Sequence, residues 1–320
     1  MYSNIKRSDE YKRRLLEFVQ FEYGMELSNI TSAKRGYYGE TWRLDTVSRN
    51  YFLKLDYSPH QVIYERSFPV VEHLRNHGTE FISRIVKTKE GELSTRFDGA
   101  VLGVFDWIDG VNVQNEQTKI AEYSILGKVY AVPVSGVPIR RETFSSASAD
   151  LFFSQWDRLK GTPNDSSKCI LSIFKKFHER LTHRAERLSI FAGYCKSDTS
   201  HFHITHGDAG GNVIVNGGDF FLVDWDDPSI APPERDAWFC LYWDWAMTAF
   251  NEVLSTNGIS YTLRSERLAY YCYHSFFFYL TEYMQTYFDF GDPNGEIASE
   301  LLKYFDGWIE EEIRYADSNY

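Results

Sequence analysis

The run His206-Gly207-Asp208-Ala209-Gly210-Gly211-Asn212 leads into Val213-Ile214-Val215, a turn at Asn216-Gly217-Gly218-Asp219, and Phe221-Leu222-Val223-Asp224-Trp225-Asp226-Asp227. No other stretch constrains the chain as much. The flanks of the turn are β-branched or aromatic, as strands require, and Asn and Gly tolerate the positive φ of a tight hairpin turn. A hairpin returns its two ends to each other, so Asp208 and Asn212 before it come near Asp224 and Asp226 after it. Three carboxylates and an amide oxygen repel one another unless a hard cation lies among them. Oxygen ligands of this kind suit Mg²⁺, which binds through a few side chains and completes its shell with water or phosphate. The plainer reading is an Asp-rich turn in which Asp226 and Asp227 cap the next segment. It would suffice for an isolated His-Gly-Asp, but not for the spaced asparagine, hairpin and second aspartate together.

Phosphoryl transfer from a nucleotide needs such an arrangement: one aspartate to accept the proton of the attacking hydroxyl, an amide oxygen and a second aspartate to hold the metal. The segment resembles the catalytic loop and metal-binding strand of the aminoglycoside phosphotransferase and choline kinase superfamily, small-molecule relatives of protein kinases. The continuation Val223-Asp224-Trp225-Asp226-Asp227-Pro228 and Ala231-Pro232-Pro233-Glu234-Arg235-Asp236 is most similar to spectinomycin phosphotransferases. The resemblance implies Asp208 as catalytic base, and Asp224 as principal metal ligand with Asn212 and Asp226 assisting. The family usually places four residues between the loop aspartate and the asparagine; here only Ala209, Gly210 and Gly211 intervene, so the glycines must make the same turn over a shorter path.

The 320 residues suit two lobes or domains rather than one minimal core. Aromatic residues make up 17% of the chain, enough for a large aromatic core and some cleft lining. The formal net charge of −11 argues against nucleic acid or an anionic membrane as partner and favours cationic ligands. Cys169, Cys195, Cys240 and Cys272 form no Cys-x-x-Cys pair, so free thiols in a reducing compartment are expected rather than zinc. The start, Met1 to Arg7, lacks an apolar signal core, and Tyr270 to Leu280 reads as a buried helix rather than a membrane span. A cytoplasmic location is expected.

Along the chain, Ser8-Asp9 caps a helix that stops near Gly24. Strand-like pieces at 30–35, 41–44 and 51–55, a helix over 61–77, and strands at 82–88, 93–97 and 100–107 follow in that order. From about Asp109 onward the signals are mainly helical, apart from the hairpin, and 161–167 (Gly-Thr-Pro-Asn-Asp-Ser-Ser) reads as a mobile loop. The predicted fold is α+β and bilobal, like a protein kinase: a small antiparallel-sheet N-lobe over 1–107 that binds nucleotide phosphates, and a larger, mainly helical C-lobe over 108–320 that carries catalysis, metal and acceptor.

A kinase-like N-lobe needs a glycine turn over the phosphates and a lysine behind it. Gly36 and Gly39 lie between two predicted strands, where glycine lets backbone amides approach an anion. Lys54 is a lone charge in the apolar strand Tyr51-Phe52-Leu53-Lys54-Leu55, and a buried ammonium needs an anionic partner. Glu65 on the following helix is the favoured carboxylate to orient it, with Glu72 as the alternative. Val104-Phe105-Asp106-Trp107-Ile108 resembles the kinase hinge, where the backbone of Asp106, Trp107 and Ile108 would bond the base of ATP or GTP.

The acceptor leaves a fainter trace. Carboxylates and aromatic rings recur from Glu234 to Trp245, which suits a polyhydroxylated or quaternary amine. Asp236 and Asp244 are the candidate acceptor carboxylates. Glu310 to Glu312 read as a solvated helix face. The expected activity is transfer of the γ-phosphate of ATP or GTP, with Mg²⁺, to a hydroxyl of a small cationic molecule, first an aminoglycoside or aminocyclitol antibiotic. A metabolic kinase acting on choline, homoserine, a thiamine precursor or a sugar is the second reading, and a weakly catalytic kinase-like binding or structural protein the third.

Overall fold

The computed structural model describes residues 7–33, 39–57, 61–162 and 164–320. Gly36 lies outside these residues. The chain packs as two compact units, Met1–Arg141 with His203–Ile230, and Glu142–Phe202 with Ala231–Tyr320.

The first unit opens with α1 (Asp9–Tyr23). Ser8 caps it by accepting a 3.2 Å hydrogen bond from the Tyr11 N–H, and Gly24 ends it in the left-handed region at φ 65°. A six-stranded antiparallel sheet follows, built from β1 (Leu27–Ser32), β2 (Glu40–Thr46), β3 (Asn50–Asp56), β4 (Ile85–Val86), β5 (Thr95–Phe97) and β6 (Ala100–Asp106), with order β1-β2-β3-β6-β4 and β5 on β6. Period-two alternation puts Tyr51, Leu53 and Leu55 into the core with Leu15 and Val19 of α1. Lys54 therefore faces the opposite side of β3, the side taken by α2 (Gln61–Asn76). A side chain on Gly39 would collide with the Leu55 carbonyl, so close approach of β2 to β3 requires glycine there. The expected strand 82–88 is reduced to β4; just before it the Ser83 hydroxyl donates to the Asp106 carbonyl and the Arg84 carbonyl accepts from the Asp106 N–H.

The rest of this unit comprises β7 (Val111–Asn112), α3 (Glu116–Tyr130), β8 (His203–Thr205), the hairpin β9 (Val213–Asn216) and β10 (Asp219–Leu222), and β11 (Ser229–Ala231). The two-residue turn has Gly217 at φ 58° and Gly218 at φ 111°, the positive pair such a hairpin needs. Strand β7 adds to the other edge of β9, and β8 pairs with β11. Strands β7, β8 and β11 are two or three residues long, too short for periodicity to reveal among expected helices.

The second unit is helical: α4 (Ala147–Lys160), α5 (Asp165–Lys176), α6 (His178–Lys196), α7 (Glu234–Ala237), α8 (Asp244–Thr256), α9 (Ser265–Phe290), α10 (Glu296–Asp306) and α11 (Trp308–Asn319). Helix α9 contains the expected buried segment 270–280, with Phe276, Phe277 and Leu280 fully enclosed. Of the segment 161–167 expected to be a mobile loop, residues 164–167 instead belong to the start of α5. Asn164 caps α5 by accepting the Ser167 N–H at 2.8 Å, so Asp165 to Ser167 form its first turn. The glutamates expected to be solvated also change place: Glu310 is 1% exposed and Glu312 5%. Arg184, fully buried on α6, takes a bidentate pair with Glu310 at 2.7 and 2.9 Å and a second carboxylate from Asp317 at 2.8 Å. A buried guanidinium requires such partners, and three successive glutamates carry no periodic signal of which one faces inward.

Glu312 has no such cation. Burial raises its pKa to about 8, against hydrogen bonds from the Trp243 side chain and the Tyr242 backbone, and its Oε2 has no partner. A carboxyl with a raised folded-state pKa contributes stability below its unfolded value and loses it as pH rises through the folded value. Glu312→Gln should therefore gain on the parent between about pH 4.5 and pH 8. In thermal melts the difference in Tm, variant minus parent, should grow by about 2 °C or more from pH 5 to pH 8; a difference independent of pH would place the ionisation elsewhere.

Candidate active site

The site is built where β3, the loop after β8 and the end of β10 meet within the first unit. Lys54 is 7% exposed, and its Nζ donates to Asp224 Oδ1 at 2.6 Å and to both oxygens of Asp226 at 2.7 and 2.6 Å. The ammonium also lies 4.7 Å from the centre of the Tyr64 ring on α2. Burial works against the lysine's charge, yet Asp226, Tyr64 and Asp224 more than offset it, and its pKa lies well above the ordinary value. The two carboxylates separate in consequence. Lys54 holds Asp224 below the usual carboxylate range, while burial and the neighbouring Asp224 charge push Asp226 up, against the pull of Lys54.

Asp224 is one of four non-glycine residues at positive φ among the described residues, at 65°. An L-residue held there is strained, and such strain collects where a side chain must be aimed. The bend is fixed on both sides: the Val223 N–H donates to the Asn212 carbonyl at 3.0 Å, and the Asp226 N–H to the Asp224 carbonyl at 2.9 Å. The hairpin thus brings Asn212 beside the Asp224 segment, as its turn required.

His206 sets the loop. It is 1% exposed, with Nε2 2.9 Å from the Val223 carbonyl and Nδ1 accepting the Asp208 N–H at 3.2 Å. The Val223 carbonyl can only accept, so the proton sits on Nε2. Trp225 packs against this imidazole at 4.5 Å between ring centres. The imidazole therefore ties Val223, the residue before Asp224, to Asp208, and Asp208 is left at an exposed position. Asn212 donates from Nδ2 to the Asp208 carbonyl at 2.7 Å, which closes the shortened loop and leaves Oδ1 as the amide's acceptor. Sequence reading missed His206 and Tyr64 as supports. The signal for Tyr64 was its helical spacing with Phe68, against which its ring stacks at 5.6 Å.

The expected pairing of Lys54 with Glu65 is not formed. Glu65 is exposed and pairs with Arg96, and the alternative, Glu72, pairs with Lys87. Tyr64, Ser67, Phe68, Val70, Val71 and Leu74 are buried residues of α2; Glu65, one residue after Tyr64, is rotated about 100° away from Lys54. In the hinge-like segment, Asp106 has both backbone groups committed: its N–H donates to the Arg84 carbonyl and its C=O accepts from the Ser83 hydroxyl. The Trp107 N–H points to the Asn50 carbonyl at 3.3 Å. Of the expected base-binding groups, these bonds leave the Trp107 carbonyl and the Ile108 N–H and carbonyl.

No group of three or more His, Cys, Asp or Glu side chains arranged for a metal occurs among the described residues. The donor set here is smaller: the Asp224 and Asp226 carboxylates, which exceed the single Lys54 charge, and the Asn212 amide oxygen. Two carboxylates and an amide fit a hydrated Mg²⁺ that takes its other ligands from water and phosphate.

A family model described as the phosphotransferase enzyme family, APH, matches residues 29–271. The chain belongs to this phosphotransferase family. The chain is also similar in structure to spectinomycin phosphotransferase APH(9)-Ia solved with ADP and spectinomycin, at TM-score 0.77 and 20% identity over 96% of this chain and 97% of that one. An aminoglycoside phosphotransferase from Alicyclobacillus acidocaldarius gives TM-score 0.61 and 13% identity over 99% of this chain and 96% of that one. A thermostable mutant of APH(4)-Ia, solved with AMP-PNP and hygromycin B, gives TM-score 0.61 and 15% identity over 96% of this chain and 99% of that one. No curated protein sequence matches significantly. As a phosphotransferase of this family the chain is a small-molecule kinase with the kinase-like α+β fold, and no helix among the described residues is long and apolar enough to cross a membrane.

The second unit holds the two acceptor candidates. The acidic aromatic helix expected from Glu234 to Trp245 is broken into α7, a tighter helical turn over Trp238–Leu241, and the start of α8. Asp236 is buried at 3% exposure, whereas Asp244 opens α8 at an exposed position between Trp243 and Trp245, which are 47% and 43% exposed.

Proposed function

We propose that this phosphotransferase moves the γ-phosphoryl group of ATP or GTP to a hydroxyl of a small cationic molecule, an aminoglycoside or aminocyclitol antibiotic. The observation that carries the reading is the buried Lys54 ammonium shared by Asp224 and Asp226 at the mouth of the hairpin that also presents Asp208. In this reading Asp208 accepts the proton of the attacking hydroxyl. Lys54 turns from a carboxylate to nucleotide phosphate oxygens. Gly36 and Gly39 give backbone amides close access to the phosphates, and the Trp107 carbonyl and Ile108 N–H meet the base. Asp224, Asp226 and the Asn212 amide oxygen hold Mg²⁺, which supplies neutralisation of phosphate charge when bound. Most of the rate then comes from positioning and charge compensation.

The exposed Asp244 between two indoles supports a cationic acceptor, since a carboxylate flanked by aromatic faces attracts an ammonium by ion pairing and cation–π contact. Buried Asp236 would act by placing that segment. Asp244→Asn should raise the KM of a cationic acceptor about tenfold, the size of one charge-assisted hydrogen bond, and spare slow nucleotide hydrolysis. Acceptor KM should also climb with salt, because exposed charges are screened beyond about 10 Å at 0.1 M. The test of the function is nucleotide consumption across antibiotics and small hydroxylated amines, with and without Mg²⁺. Mg²⁺-dependent turnover with an aminocyclitol is expected. A neutral or anionic acceptor with salt-independent KM would instead make the protein a metabolic kinase.

A further inference from the structure

The Lys54 ammonium occupies Asp224 Oδ1 and both carboxylate oxygens of Asp226. Lys54 and a metal therefore compete for the same oxygens. When Lys54 leaves them for nucleotide phosphates, a buried ammonium still needs a carboxylate to hold its direction. Glu65 and Glu72 do not serve, because Arg96 and Lys87 hold them.

Asp56 stands on the right face. It closes β3 opposite Val101 of β6, so its backbone is fixed in the sheet. It lies two residues beyond Lys54, and strand alternation turns both side chains to the face covered by α2. At the rise of a strand their Cα atoms are about 6.6 Å apart, a span that the four-carbon stem of lysine can cross. Asp56 is 1% exposed, and among the described residues neither carboxylate oxygen has a side-chain partner; the Tyr57 N–H is the group turned toward it. Burial raises its pKa to about 7, against the pull of the Lys54 charge. The Tyr64 hydroxyl is within electrostatic reach of Asp226, Lys54 and Asp56, which puts the ammonium and both carboxylates around one ring. A buried carboxyl without a side-chain partner costs free energy that an arriving ammonium would recover.

We infer that Asp56 is the positioning residue of Lys54 in the nucleotide-bound state, the role expected of Glu65: it takes the ammonium released by Asp224 and Asp226 and holds it toward the phosphates. The inference rests on Lys54 as a phosphate ligand, which the same experiment tests separately.

Calorimetric titration of the full chain with Mg-ADP compares the parent with Asp56→Asn, Asp56→Val, Lys54→Met and the two double variants. Asparagine keeps the shape without the charge, and valine puts an apolar β-branched residue into a buried strand, so both should fold, which thermal melts check. Each should weaken Mg-ADP by about tenfold, the scale of one charge-assisted hydrogen bond. Lys54→Met should weaken it at least as much. In the Lys54→Met background the Asp56 changes should have no further effect, because Asp56 acts through the ammonium; a role in the fold alone would give equal losses in both backgrounds. Asp56 variants that bind Mg-ADP like the parent while Lys54→Met does not, or losses that persist undiminished without Lys54, would overturn the inference. Mg-ADP affinity unchanged by Lys54→Met would overturn the phosphate role of Lys54, and the inference with it.

Discussion

Asp208→Asn should lower turnover by about 10²-fold or more, the scale of a general-base contribution, while nucleotide affinity stays near the parent's. The reason lies in how the loop is held. The Asp208 backbone is fixed through its N–H to His206 and through its carbonyl to Asn212, at 3.2 and 2.7 Å. Neither bond involves the carboxylate, so the amide variant keeps both. Lys54, Asp224 and Asp226 are untouched. Single-turnover rates with saturating nucleotide, beside calorimetric nucleotide affinity, separate the two effects. Unchanged turnover would remove Asp208 as the base; a parallel loss of nucleotide affinity would mean that its carboxylate supports the loop instead.

Asp224→Ala should reduce nucleotide affinity in the presence of Mg²⁺ to the value measured without it. Asp224 is the more acidic member of the pair around Lys54, since the lysine holds its pKa down, and an anionic carboxylate is what a hard cation requires. Lys54 keeps two bonds to Asp226 in the variant, so the buried ammonium is not orphaned. Alanine also has to take up the φ of 65° at this position, a strain of order 1 kcal/mol that should appear as a small fall in Tm. Titrations of parent and variant with ADP, each with and without Mg²⁺, decide the point. A variant that binds Mg-nucleotide like the parent would place the metal elsewhere.

The hairpin and its carboxylates were legible because local chemistry specifies them. Two glycines that allow positive φ, flanked by β-branched and aromatic residues, admit few conformations, and closing the hairpin necessarily gathers Asp208, Asn212, Asp224 and Asp226. Lys54 was legible for a related reason: a lone charge in an apolar strand must find carboxylates. Which carboxylates it finds was not, because that depends on the packing of α2 against the sheet. The helix pattern alone did not say that Tyr64, rather than Glu65, turns inward beneath the lysine. The same holds for Glu310 of α11, whose burial follows from the position of Arg184 on a helix more than a hundred residues earlier.

The sequence by itself determined the class of chemistry, the β9–β10 hairpin, the capped first helix and the presence of a buried lysine, all of which rest on neighbours within one or two elements. Only the tertiary structure decided the partners of that lysine, the use of His206 as a strut between Val223 and Asp208, the commitment of the Asp106 backbone to the sheet, and the burial of Glu310 and Glu312. Each of these is a match between groups distant in the chain. Side-chain periodicity tells which face of an element is apolar, but the ionic partner of a buried charge is whichever opposite charge the packing of other elements brings within hydrogen-bond reach.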